Sequence, residues 1–145
     1  MIAYFDSSSI VKWFFDEPYM DLARTVRDET ELAFTSLVSL PEVMSAFNRA
    51  WKEGRCSKAS MEKVRKGFEE IWPDFQWVKP DEAIVSQAGR LVYKHNLRGL
   101  DALHLACALL LKREGEGIDV FFSCFDQRLN HAAEKEGLTV HQDMR

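Results

Sequence analysis

A chain of 145 residues, 46% of them hydrophobic, fits one domain whose core needs no disulfide staples. A net charge of −4 argues against a general nucleic-acid-binding surface but leaves room for a local basic rim. The longest apolar run, Leu105 to Leu111, is far short of the roughly 20 residues that span a bilayer. The amino terminus shows no secretory pattern, and the Cys56, Cys107 and Cys124 spacing is not of a metal-binding type, so a reducing cytoplasm is the expected location.

In chain order, residues 2–5 (Ile-Ala-Tyr-Phe) form an apolar first strand ending at Asp6. Residues 7–15 follow with Ile10, Val11 and Phe14 on one helical face, and residues 19–28 with Leu22, Ala23 and Val26. A strand is expected at 32–35. In the helix at 37–53, Leu40, Val43, Met44, Phe47 and Trp51 keep the spacing of a buried face. Ser57 caps a helix that runs to about Trp72, where Pro73 ends it, and a strand is expected at 75–78. Pro80-Asp81-Glu82 opens a further helix, with Pro80 in its first turn. The apolar helix at 100–114 stops at Gly115 and Gly117. A strand at 119–122, a helix at 127–136 closed by Gly137, and a strand at 138–141 complete the chain.

Alternation of strands and helices implies parallel pairing with right-handed crossovers. The expected fold is a single three-layer α/β/α domain over residues 1–145, with a five-stranded, mainly parallel sheet. The helices at 37–53 and 58–72 lack an intervening strand and should protrude as a hairpin. Trp13, Phe14 and Phe15 cannot all enter one core face of a short helix, and a leftover aromatic patch would suit a protein partner.

Four acids stand where strands give way to helices: Asp6, Glu42, Asp101 and Asp126. Each has a plain structural reading. Asp6 and Asp126 can cap the helices that follow them. Ser39-Leu40-Pro41-Glu42 matches the capping box, in which Glu42 reaches back to the Ser39 amide. Asp101 suits the first turn of its helix. Jointly they lie at the strand ends, where open α/β sheets bind ligands. Two carboxylates about 5 Å apart repel by roughly 3 kcal/mol at an effective dielectric of about 20. A divalent cation removes that penalty, and an oxygen-only donor set suits Mg²⁺ or Mn²⁺ rather than zinc.

The segments Tyr4-Phe5-Asp6-Ser7-Ser8-Ser9, Thr35-Ser36-Leu37-Val38-Ser39-Leu40-Pro41-Glu42, Arg98-Gly99-Leu100-Asp101-Ala102-Leu103-His104-Leu105-Ala106 and Phe122-Ser123-Cys124-Phe125-Asp126 resemble, in order and spacing, the motifs of PIN-domain proteins. The likeness covers the whole chain and is greatest to the VapC toxins of toxin–antitoxin pairs. The resemblance implies a PIN-like fold and a Mg²⁺- or Mn²⁺-dependent endoribonuclease that hydrolyses RNA with water activated by the ion. Asp6, Glu42 and Asp101 would be the core metal-site acids, with Asp126 completing the set and Ser123 orienting a ligand. The resemblance also implies a cognate antitoxin and a homodimer, while the shortness of the longest apolar run predicts no membrane association.

Around the acids, Ser7 and Ser8 could fix Asp6 by hydrogen bonds or merely cap a helix, while Lys12, Arg98 and Arg128 could meet RNA phosphates or be ordinary surface charge. His104, one turn after Asp101, suits packing or support of a ligating acid better than ligation. The competing readings are a non-catalytic PIN-like module that binds RNA or protein, a phosphatase of the haloacid-dehalogenase type, and a purely structural α/β domain. The phosphatase needs an aspartate two residues after Asp6, where this chain has Ser8.

Overall fold

The computed structural model describes residues 1–142 and 144. Strand β1 (Ile2–Phe5) forms the centre of a five-stranded sheet in the order β3-β2-β1-β4-β5, with β2 at Leu32–Ser36, β3 at Gln76–Val78, β4 at Val120–Ser123 and β5 at Thr139–Val140. All four pairings are parallel. The chain moves outward from β1 to β2 and β3, then returns to the other side of β1 for β4 and β5. Between β1 and β4 the direction of travel reverses, and open sheets bind ligands beyond their strand ends at such a point.

The continuous apolar run of β1 follows from its position. Its two faces feed two cores, with Ala3 and Phe5 in one and Tyr4 in the other. Helices α5 (Glu82–His95) and α6 (Gly99–Glu114) cover the Tyr4 side, helped by α7 (Gln127–Lys135). Helix α6 buries residues around most of its circumference, from Ala102 to Leu109, as a helix apolar on all sides must. On the Phe5 side lie α1 (Ser7–Lys12), α2 (Met20–Glu29), α3 (Ser39–Lys52) and α4 (Lys58–Ile71). Helices α3 and α4 form the expected hairpin. Among the described residues no helix is long and apolar enough to cross a membrane.

Several boundaries differ from the sequence expectation for local reasons. Helix α1 ends at Lys12, and the next residues tighten into turns through Trp13 N–H to Ile10 O (3.1 Å) and Phe14 N–H to Val11 O (3.0 Å). Leaving the helix lets three consecutive aromatics diverge. Trp13 stacks on Phe75 at 5.9 Å, while Phe14 and Phe15 meet Phe47 edge-on at 5.5 and 5.6 Å. Pro80 lies outside α5, because Asp81 caps that helix by accepting from the Ile84 amide at 2.9 Å. Asn96, left-handed at φ 53°, closes α5. Pro73 falls in a short 3-10 turn, Trp72–Asp74, after α4.

Phe47 is 1% exposed and joins α3 to α4 and to the turn after α1 through its contacts with Phe68, Phe14 and Phe15. Phe47→Ala should cost about 3–5 kcal/mol in denaturant unfolding. Val85→Ala, at a residue 54% exposed, should stay within about 0.5 kcal/mol. Equal losses from the two changes would contradict this packing.

Candidate active site

Asp6 leaves β1 in an extended conformation and caps α1. Its Oδ1 accepts from the Ser9 amide at 2.9 Å and from the Ser8 hydroxyl at 2.8 Å. The structural reading of Asp6 is therefore correct, and it is compatible with a second role. The residue is 4% exposed and lines a cavity of about 670 Å³ at the carboxyl edge of the sheet. Burial raises its carboxyl above the ordinary range. His104 and the bonds from Ser9 and Ser8 oppose that rise, and the neighbouring Asp101 adds to it.

The capping-box expectation for Glu42 does not hold. Ser39 is the first residue of α3 rather than its cap, Val38 holds the capping position without a side-chain bond, and the Ser39 hydroxyl lies 2.7 Å from that of Thr35. Pro41 consequently sits harmlessly in the first turn. Freed from the backbone, Glu42 Oε1 accepts from Ser7 Oγ and from His104 Nε2, each at 2.7 Å. Burial pushes this carboxyl up, but the His104 and Ser7 bonds more than offset it and hold it below the usual range.

His104 is 2% exposed and also contacts the Tyr4 hydroxyl through Nδ1 at 2.7 Å. Burial keeps the Tyr4 phenol protonated. The arrangement that satisfies every atom has Tyr4 O–H donating to Nδ1 and Nε2–H donating to Glu42. Strand β1, helix α6 and helix α3 are thereby tied together, and Glu42 Oε1 is fully engaged by two donors.

Asp101 lies in the first turn of α6, whose Arg98 cap supplies no side-chain bond to the free amides. An acid there is favoured by the helix dipole. It accepts from Arg98 Nε at 3.1 Å, and Arg98 Nη2 stands 3.8 Å from Asp126.

Asp6, Glu42 and Asp101 line the same cavity, together with Ser7, Lys12, Arg98 and His104. Asp126 does not line it. Its Oδ1 caps α7 through the Leu129 amide at 2.9 Å, and it borders a neighbouring cavity that shares Arg98 and Asp101 with the first. Arg128 borders that second cavity and donates to Asn96 O at 3.2 Å. Ser123, expected to orient a ligand, is fully buried and lines neither cavity. Its hydroxyl contacts Ser9 Oγ at 2.8 Å and His141 Nε2 at 2.9 Å. It acts on the site from behind, since its carbonyl accepts from the Asp6 amide at 3.1 Å.

Among the described residues no three His, Cys, Asp or Glu side chains are close enough to form a ready-made metal shell. The donor chemistry nonetheless suits a hard cation. The lining acids are oxygen donors and Asp6 is nearly dry, which makes its ionised form costly without a nearby positive charge. Mg²⁺ in particular takes one or two carboxylates and completes its shell with waters and substrate oxygens. Sequence reasoning overlooked Tyr4, Arg49 and Arg55. The signal for Arg49 was present, because it falls seven residues after Glu42 and so shares its helix face.

The PIN domain family model matches residues 3–135. Ribonuclease VapC45 of Mycobacterium tuberculosis (strain CDC 1551 / Oshkosh) is 30% identical over 139 residues, covering 96% of this chain and 94% of the relative. Two solved structures share the fold. One is M. tuberculosis VapC20, described as a sarcin-ricin loop cleaving toxin, with a TM-score of 0.66 at 16% identity over 90% of this chain and 94% of that one. The other is VapBC2 of Rickettsia felis bound to a DNA fragment from their promoter, with a TM-score of 0.61 at 13% identity over 97% and 98%. The family match over residues 3–135 and the 30% identity over 96% of the chain agree, and the chain belongs to the PIN domain family, within its VapC type.

Proposed function

We propose that this chain is a metal-dependent endoribonuclease, the toxin of a VapBC-type toxin–antitoxin pair. The observation that carries this reading is the placement of Asp6, Glu42 and Asp101 on one cavity, with Glu42 fastened by His104 and Ser7. The name of the 30%-identical ribonuclease VapC45 supports the activity. The VapBC2 assembly supports an antitoxin partner. A homodimer is part of the same proposal. Three cysteines without a disulfide suit the reducing cytoplasm proposed as its location.

Asp6, Glu42 and Asp101 would hold Mg²⁺ or Mn²⁺, and Asp126 would act across Arg98 on the same cluster. When bound, such an ion lowers the pKa of water and neutralises phosphate charge. The chain's own residues do the positioning. The Ser8 and Ser9 bonds fix the Asp6 carboxylate, and the Tyr4–His104 pair fixes one Glu42 oxygen so that the other is left for a ligand. Arg98 can turn from Asp101 to a substrate phosphate, because its side chain is 81% exposed. Attack by water with the 3′-oxygen as leaving group, the outcome that the family resemblance implies, would leave a 5′-phosphate and a 3′-hydroxyl and does not use the ribose 2′-hydroxyl.

Asp101→Ala should lower RNA cleavage by at least about 100-fold with the fold intact by circular dichroism, since supports of a metal site already cost 10–100-fold. Wild-type products should carry 5′-phosphates. Undiminished cleavage by Asp101→Ala, or 2′,3′-cyclic phosphate ends, would refute the assignment.

A stability prediction follows from the raised Asp6 carboxyl. The folded state binds its proton more tightly than the unfolded chain does. Stability is therefore lost as pH rises through the window between the ordinary aspartate value and the raised folded one, and the penalty is complete above it. Asp6→Asn keeps the oxygen that caps Ser9 but cannot ionise. Without divalent cation near pH 7 it should be more stable than wild type by on the order of 1 kcal/mol, a gain that fades in acid. A melting temperature below that of wild type at neutral pH would count against a destabilising buried charge.

A further inference from the structure

His141 directly follows β5, the strand at the outer edge of the sheet, and does not line the cavity shared by Asp6, Glu42 and Asp101. It is nevertheless buried, at 7% exposure, among residues that frame that cavity from behind. Its ring meets Phe121 edge-on at 4.9 Å and lies tilted on Phe125 at 4.7 Å. A phenylalanine would serve this packing equally well. What sets the histidine apart is Nε2, which stands 2.9 Å from Ser123 Oγ.

The bonds beyond Ser123 have only one consistent direction. A carbonyl oxygen can only accept, so the 2.7 Å contact of Ser9 Oγ with Ser123 O takes the single hydroxyl hydrogen of Ser9. The 2.8 Å contact between the two hydroxyls must then be donated by Ser123. That uses the only hydrogen of Ser123, so the hydrogen between Ser123 and His141 comes from Nε2. The relay runs from His141 through Ser123 to Ser9 and ends on the Ser123 carbonyl. The same carbonyl accepts from the Asp6 amide at 3.1 Å, and the Ser9 amide returns to Asp6 Oδ1 at 2.9 Å. Ser9 and Ser123 are fully buried, so no bulk water stands in for a missing donor.

We propose that His141 is a positioning residue for Asp6, acting from the far edge of the sheet through Ser123 and Ser9. The proposal rests on the nuclease reading for what Asp6 holds. The Nε2 donor turns the Ser123 hydroxyl toward Ser9, and Ser9 is thereby left to donate to the carbonyl. Without that donor the Ser123 hydroxyl is free to turn, and Ser9 can spend its hydrogen on Ser123 Oγ instead. The carbonyl then loses one of its two donors, and the start of α1 loses a tie to β4 at the residue whose amide fixes Oδ1 of Asp6. Partners that orient a ligating carboxylate from behind its contact atoms are worth about 10–100-fold in metal affinity or activity. Ser8 also bonds Asp6, at 2.8 Å, so the lower end of that range is expected.

The test compares His141→Phe, which keeps the ring packing and removes the donor, with His141→Gln, whose amide can donate. Three readouts are taken: amide hydrogen exchange of the metal-free protein by NMR, Mn²⁺ affinity, and RNA cleavage. In His141→Phe the Asp6 and Ser9 amides should exchange at least about tenfold faster than in wild type, while amides of α5 keep their rates. Mn²⁺ affinity and kcat should each fall about tenfold with KM little changed. His141→Gln should recover most of each loss. Ser123→Ala, which cuts the relay one link nearer and leaves the ring in place, should repeat it. On a Ser9→Ala background His141→Phe should add less than about twofold, because the link it acts through is gone. In wild type the ¹⁵N shift of Nε2 should be that of a nitrogen carrying hydrogen. A bare Nε2, a His141→Phe protein with unchanged exchange and affinity, or equal losses in the Phe and Gln variants overturns the relay. If wild type neither binds Mn²⁺ nor cleaves RNA while the exchange rates respond as stated, the nuclease reading fails and the relay stands. If cleavage is robust and indifferent to His141→Phe, the relay fails and the nuclease stands.

Discussion

A carboxylate can stay ionised away from water only where donors surround it, and this constraint organises the sheet edge of the protein. Glu42 is held by Ser7 from α1 and by His104 from α6, and His104 is held in turn by Tyr4 from β1. Tyr4 and His104 are almost completely buried, so a broken link would leave a dry polar group without a partner. The same bonds that satisfy Glu42 therefore fix the relative positions of the central strand and of helices in both outer layers. Asp6 obeys the constraint less completely. Its capping bonds to Ser8 and Ser9 do not fully offset burial, which leaves its carboxyl raised.

This arrangement shows how one residue serves fold and site together. Asp6 and Asp126 are helix caps, and Asp101 sits where a helix dipole favours an acid. Those local preferences recruit acids to the ends of helices, and the parallel topology then brings the relevant helix ends to one edge of the sheet. The cavity is a consequence of strand order as much as of side-chain chemistry. Proximity of like charges costs energy that the core must offset. The aromatic cluster around Phe5, Trp13, Phe47 and Phe75 lies directly beneath the site and is dry.

Strand and helix identities were legible because their periodicities are strong. The run Ile2–Phe5 and the α3 face through Phe47 could hardly be read otherwise. The end of α1 was not legible, because a helical period continues through Phe14 while tertiary packing draws Trp13 and Phe15 apart. At the site, the strand-end aspartates announced themselves. The Glu42 contacts did not, since Ser39-Leu40-Pro41-Glu42 fits a capping box equally well and only the fold places His104 and Ser7 within reach. The buried position of Ser123 followed from β4 extending one residue beyond its expected end, which turned a hydroxyl expected to face a ligand toward Ser9 and His141.

The central proposal is that Asp6, Glu42 and Asp101 line a cavity whose charge is completed by a hard divalent cation. Titration of the protein with Mn²⁺, followed by the electron paramagnetic resonance signal of the free ion, tests it without any substrate. Wild type should take up Mn²⁺ saturably, Mg²⁺ should compete it off, and Glu42→Gln should bind at least about tenfold more weakly. Uptake that never saturates, or that is the same in Glu42→Gln, would contradict the claim.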